Sequence, residues 1–225
     1  LKRLAVMVPC LGFPSLKITL EVLPLIVAGL TLQPGYCFIV SIATDFLGLV
    51  LANAGGFPFL GFTLNAVLQT EIPCLLKIYL NEKNERLLER IVKIVMVIIS
   101  LLGCLYVFKI NEVNISGSSY QVTLPIKFTI FVIIAAMLTI LFIFIRYYKN
   151  KLKEKDLHLF HLSILSVVAI ELTVTMFLTP YWLQTMYGIP FFASQFVRIL
   201  KSCVMIPVGI IIVYTMNRMI QKVIR

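Results

Sequence analysis

Charge is scarce in this chain. Asp, Glu, Lys and Arg make up 13% of its 225 residues, against about 25% in a typical soluble domain. Acidic residues are scarcer than basic ones, with 10 Asp and Glu against 20 Lys and Arg. Tryptophan occurs once and histidine twice. The five cysteines, Cys10, Cys37, Cys74, Cys104 and Cys203, are scattered. None belongs to a CxxC or a Cys/His group, so a zinc site is not expected and they read as small apolar packing residues. His158 and His161 lie three apart after Asp156, but no second cluster of ligands accompanies them, and no metal is expected. The chain has no GxSxG, no HExxH, no P-loop and no GxGxxG in a strand context. No nucleophile–base pair can be argued, so neither an enzyme nor a cofactor is expected. A signal-peptide pattern is missing and the chain opens Leu1-Lys2-Arg3, which reads as a piece of a longer protein with one or more spans before residue 1. There is no internal repeat and no linker, so residues 1–225 form one domain.

What fills the sequence is apolar. Hydrophobic residues make up 60% and the mean hydropathy is +0.99. No water-soluble packing hides that much apolar surface in so short a chain. The expectation is an integral membrane protein, all-α, built as a polytopic transmembrane helix bundle. A net charge of +10 invites a nucleic-acid partner. The basic residues, however, flank apolar spans, where they set topology and contact anionic lipid; nucleic acid is excluded and membrane lipid is the expected partner.

The clearest span is Phe128 to Ile145, 18 residues without charge, Pro or Gly. As a helix it covers roughly 27 Å, near the thickness of the hydrocarbon layer. It runs into Arg146, Tyr147, Tyr148, Lys149, Lys151, Lys153 and Lys155, a basic turn that marks the cytoplasmic side. Asn81 to Lys93, NEKNERLLERIVK, is a second such turn. Upstream, two readings compete. One has a span near 16–34, an apolar outer loop and a span near 57–80; the other adds a short span at 36–54. The first is preferred, because it alone puts Lys2, Arg3 and Lys17 on the same side as the turn at 81–93. Ile94 to Phe108 follows, then an outer loop at 111–121 that carries the sequon Asn114-Ile115-Ser116, a candidate glycosylation site. Leu157 to Leu183 and Phe191 to Asn217 complete six spans, with Arg218, Lys222 and Arg225 closing the last one on the cytoplasmic side.

Polar groups inside spans are expensive and are therefore candidates for function. Glu171 lies midway along its span. It can serve as a ligand counter-ion, a proton relay or a cation site, or it can simply pair with a Lys or Arg or be hydrogen-bonded while protonated. Tyr181, Trp182, Gln184, Tyr187 and Gln195 gather at the outer ends of the last two spans, where they line a pocket or form an aromatic belt. Pro180 and Pro207 are candidate hinges, since each removes a backbone hydrogen bond.

The charged turn NEKNER after the 57–80 span, the outer loop after residue 108, the basic loop after 145, a Pro-bearing span and a last span ending YTMNRMIQKVIR together resemble a rhodopsin-like seven-helix receptor lacking its first helix. More narrowly the chain is similar to nematode serpentine chemoreceptors of the Srh-like group. Leu32-Gln33-Pro34-Gly35-Tyr36-Cys37-Phe38 resembles the outer end of their second helix, and Asn84-Glu85-Arg86 the turn that ends their third. The resemblance implies a plasma-membrane receptor that detects a small extracellular ligand and couples to a heterotrimeric G protein by helix rearrangement. On that reading Glu71, Glu171, Trp182, Gln184 and Gln195 line the ligand pocket. Arg86, Arg90, Lys149, Lys151 and Lys153 face the transducer, and Pro180 and Pro207 absorb the change. The alternative is a fragment of a secondary transporter or permease, favoured by the Pro34-Gly35 and Gly55-Gly56-Phe57-Pro58 breaks, which can form discontinuous helices at a substrate site.

Overall fold

The computed structural model describes residues 6–10, 13–18, 21–51, 59–80, 87–88, 90–92, 94, 97, 112–115, 118–121, 124–152, 154–189 and 191–224. Helices form its body: α1 (Val22–Thr31), α2 (Pro34–Leu51), α3 (Leu60–Tyr79), α4 (Leu124–Lys151), α5 (Glu154–Ile170), a π-helical segment (Glu171–Leu178), α6 (Thr179–Tyr187) and α7 (Phe191–Ile224). The helical class is as expected. Two short antiparallel hairpins add to it, β1 (Val6–Cys10) with β2 (Phe13–Ile18), and β3 (Glu112–Ile115) with β4 (Ser118–Gln121). The first hairpin moves the start of the first span from residue 16 to Val22. The second occupies the expected loop at 111–121, and Asn114 pairs with Ser119 next to its turn. The basic residues Lys2, Arg3, Arg86 and Lys153 lie outside the described residues, as does nearly all of the 94–108 span and the Gly55–Pro58 break.

The largest departure from expectation is at α1 and α2. The segment expected as an apolar outer loop is helical from Pro34 to Leu51, yet it is not a separate crossing. Thr31 and Leu32 meet Lys77 and Cys74, Cys37 meets Thr70, and Asp45 meets Thr63. Numbers rise on one side as they fall on the other. Therefore α1 and α2 run in succession along α3, antiparallel to it, as one broken helix. The break follows from Pro34. Proline cannot donate to a preceding carbonyl, but it is tolerated as the first residue of a new helix; Leu32 turns extended just ahead of it, with ψ 174°.

A break leaves carbonyls without partners, and away from water each must be answered. One stripe of α3 does this. Lys77 Nζ donates to Thr31 O at 3.2 Å, and Cys74 Sγ to Leu32 O at 3.6 Å. The Thr70 hydroxyl sits 3.4 Å from Cys37 O, sharing its proton with Val67 O at 2.9 Å. Cys37 and Cys74 are free thiols, fully buried at the break; they pack as the sequence reading expected. Close approach of the helices needs Gly29, where a Cβ would collide with the Thr70 carbonyl oxygen.

On the other side of α3 lies an antiparallel pair formed by α5 with its continuation, and α7. Its register is read from Asp156 with Arg218, Phe160 with Tyr214, Val167 with Gly209, and Glu171 with Ser202. The main apolar core joins Ile26 and Leu30 of α1, Phe160, Ile164 and Val168 of α5, and Ile210 and Val213 of α7, with Leu88 and Val92. The first turns of α3 meet Thr179 and Trp182, so α3 is antiparallel to α5–α6. The end of α3, the start of α5 and the end of α7 thus share one end of the body, where Arg218 and Lys222 lie.

Two distributions of side chains stand out among the described residues. Buried positions include many polar side chains, among them Ser41, Thr70, Ser163, Ser166, Ser202 and Asn217. Exposed positions include many large apolar ones: Tyr36, Ile39, Phe46 and Val50 along one face of α2, and Phe128, Val132 and Ile143 on α4. Contiguous apolar surface of this kind is seldom left to water. Among the described residues one continuous helical run, Asp156–Tyr187, is long and apolar enough to cross a membrane.

Candidate functional site

Sequence pattern places a cluster of charge between the helices. In α7, Ser194, Arg198, Lys201 and Ser202 recur at spacings of four, three and one, which puts them on one side of the helix. Glu171 faces this side from the first residue of the π segment. It is 7% exposed, and Ser202, 1% exposed, donates its hydroxyl to Glu171 Oε2 at 2.6 Å. Arg198 and Lys201 both lie within Coulombic reach of the Glu171 carboxylate. Arg198 Nε donates to Ser194 Oγ at 3.4 Å. Burial of a lone carboxylate is costly; burial beside two cations and a hydroxyl donor is what makes it tolerable. The direct contact of Glu171 among the described residues is the Ser202 hydroxyl, with the two cations acting on it only through their charge.

The backbone at this point is unusual. From Glu171 to Leu178 the helix widens to π geometry, and α-helix resumes at Thr179. The Thr179 N–H bonds to Val174 O, five residues back, and its hydroxyl donates to the same oxygen at 2.7 Å. Pro180 then falls in the first turn of the resumed helix, where its missing N–H costs nothing. The proline expected to kink a span is therefore accommodated by a widened turn. Such π segments occur frequently at functional sites. Pro207 lies inside α7, which continues through it.

A second polar relay begins at Thr179. Asn65 Nδ2 donates to Thr179 Oγ1 at 3.3 Å, and Trp182 Nε1 donates to Asn65 Oδ1 at 3.2 Å. Trp182 packs edge-on against Phe59 and Tyr181, with centroids 5.6 and 5.0 Å away. Gly61 clears room for the indole, since a Cβ there would fall 2.7 Å from Trp182 Cδ2. At the other end of the pair, Arg218 Nη2 and Asp156 Oδ2 lie 3.1 Å apart, and the guanidinium carbon is 6.0 Å from the centre of the Tyr214 ring. Fifteen residues of helix separate Asp156 from Glu171, or about 22 Å.

Of the expected lining residues, Glu171 and Trp182 are thus tied into polar networks. Gln195 is buried in the first turns of α7, one position from Ser194, and Gln184 is exposed beyond Trp182. Glu71 lies on a different side, within electrostatic reach of Cys37. Arg90 is exposed, and Lys149 and Lys151 fall in the last turns of α4. No protein-family model, curated protein or solved structure matches this chain. Asn65, Ser202, Arg198 and Lys201 were not among the expected site residues. The four-and-three spacing on α7 was the available signal for the last three. Asn65, an amide in an apolar run, had none.

The indole–amide contact is directly measurable, because Trp182 is the sole tryptophan. Asn65→Leu removes the acceptor of the indole N–H and should move the emission maximum of the purified protein to shorter wavelength. Gln184→Leu, on the exposed side, should leave it in place.

Proposed function

We propose that the chain is part of a polytopic helical membrane receptor of the seven-helix kind. It would sit in the plasma membrane, take a small extracellular ligand between the Trp182 ends of its helices, and signal by helix repacking to a G protein at the Asp156 end. The observation that carries this reading is the Glu171–Ser202–Arg198–Lys201 cluster, placed where α-helix gives way to π-helix. Charge held inside a bundle at a change of helical geometry is a natural two-state element: altering the partners of Glu171 biases one packing of α5 against α7 over another. The exposed apolar faces of α2 and α4 support lipid as the solvent. The basic residues that follow α3 and flank α5 and α7 in the sequence support a cytoplasmic Asp156 end, which Arg86, Arg90 and the Lys149–Lys153 turn would offer to the transducer. The same threading puts Asn114 and its hairpin outside, open to glycosylation.

The broken helix α1–α2 favours a second reading, a secondary transporter, because discontinuous helices hold substrate at their free ends. Here the carbonyls at the break are answered by Lys77 and Cys74, which leaves fewer free backbone groups to bind cargo. The receptor reading is preferred for that reason.

The test is basal coupling. Asp156→Asn removes the 3.1 Å pair with Arg218 and loosens the transducer end. In membranes supplied with a panel of purified G proteins, nucleotide exchange should rise about two- to fivefold above the unsubstituted protein, the population shift expected for loss of about 0.4–1 kcal/mol. No exchange above background with any G protein, together with solute flux in proteoliposomes, would transfer the assignment to a transporter.

A further inference from the structure

We propose that α6 is a switch segment with two positions, and that Asn65 holds it in the one seen. The inference goes beyond the receptor reading and does not rest on it. With nine residues, Thr179–Tyr187, α6 is short, and it has a joint at each end. Upstream is the widened turn. Downstream the helix stops at Gly188, whose φ of 65° is left-handed backbone that suits glycine. The helix before the turn is better held: Phe160, Ile164 and Val168 lie in the main core, and Glu171 accepts from Ser202 at 2.6 Å. When the turn changes, α6 is the part that moves.

The turn has two settings. In the open one, the Thr179 N–H reaches back five residues to Val174 O; an α-turn would reach back four, to Thr175. The open turn therefore holds one residue more than an α-turn. Closing it rotates α6 against α5 by about 100° and shifts it by about 1.5 Å, which takes the indole off Asn65. Side chains hold the turn open. The Thr179 hydroxyl donates to the oxygen that also takes its N–H, at 2.7 Å. Asn65, buried on α3, donates to that hydroxyl and accepts from the Trp182 indole, so one amide spans both residues. Phe59, edge-on at 5.6 Å, and the bare face of Gly61 seat the indole. Pro180 opposes the closed setting, because in a regular helix its ring crowds the carbonyl four residues back, on Met176, and kinks the chain. The choice lies between a helix with one wide turn and a kinked helix of regular turns. Two discrete packings of this kind are tipped by small changes, and whatever unseats Trp182 loosens the amide that keeps the turn open.

Trp182, the sole tryptophan, reports the position of α6. The chain is placed in phosphatidylcholine nanodiscs, and its emission is quenched by acrylamide from the water and by brominated phosphatidylcholine from the lipid. Thr179→Val and Pro180→Ala remove no hydrogen bond or ring contact of the indole. The first takes away the bond that holds the turn open; the second takes away the obstacle to closing it. Each should raise quenching by one of the two agents about two- to tenfold, the population shift that one hydrogen bond gives, and the pair together should raise it further. Thr179→Ser keeps the hydroxyl, and Thr173→Val removes an exposed one bonded within the helix to Ala169 O; neither should change it. Deleting Phe177, exposed in the widened segment, removes the extra residue itself and should give the full rise, to which Thr179→Val adds nothing. Unchanged quenching in Pro180→Ala and the deletion would overturn the switch, even with a rise in Thr179→Val, because the threonine would then be a local support for the indole. An equal rise in Thr173→Val would overturn it too, by showing general loosening. Should the deletion not fold, Pro180→Ala decides alone, since the first turn of a helix accepts alanine.

Discussion

Glu171→Leu should lower the stability of the purified protein by about 3–5 kcal/mol, the range for breaking a buried charge pair from one side. In a chain of this size that corresponds to a fall of about 10 °C in melting temperature. The loss does not come from the volume change, since Leu is close in size. It comes from Arg198, left without the carboxylate whose charge offsets its own, and from the Ser202 hydroxyl, left without its acceptor. The pairing can be isolated by a double substitution. Glu171→Leu with Arg198→Leu removes one cation along with the anion, and it should recover more than about 1 kcal/mol of the loss. Strict additivity of the two single effects would show that the groups do not act on each other. Glu171→Gln, which retains an acceptor for Ser202, should cost clearly less than Glu171→Leu.

Gly29→Val should lower the melting temperature by about 5–10 °C, the effect of overpacking at about 1–3 kcal/mol. The obstacle is backbone. A Cβ at Gly29 runs into the Thr70 carbonyl oxygen and comes within 3.1 Å of Pro73 Cβ, and neither can rotate away as a side chain would. The whole of α1 must lift from α3, which loosens the Lys77 and Cys74 bonds to the break. Gly35 provides the comparison, since nothing lies within 4 Å of a Cβ there. Gly35→Ala should be neutral or slightly stabilising, because alanine restricts the unfolded chain and favours the first turn of α2. Two glycines six residues apart thus give opposite signs. A fall in stability at both would mean that the contact between α1 and α3 is not what holds this region.

These effects also mark what could be read without coordinates. The helical class followed from composition. The helices over 124–151, 154–187 and 191–224 contain the expected spans, because long uncharged runs have little alternative. The stretch 34–51 was misjudged as a loop, because Pro34 and Gly35 are ordinary turn residues and nothing local says that a new helix begins at the proline. Glu171 stood out as a charge in an apolar run. Its partners did not, since the register that sets Ser202 opposite it depends on contacts such as Val167 with Gly209. The π segment was equally illegible. Pro180 announced a disturbance, but whether a helix bends or widens depends on the donors available there, here the helix's own Thr179 hydroxyl and the Asn65 amide of α3.

The stripe Thr70, Cys74 and Lys77 has a consequence for motion. If α3 slid past α1–α2, it would strip the carbonyls of Thr31 and Leu32 of the Lys77 and Cys74 donors that now answer them. Those three helices are therefore bound to travel as one block, like the fixed frame of a hinge. Displacement is left to the seam where α7 meets α5 and its widened turn, and there a sliding step exchanges one charged partner for another without orphaning any backbone.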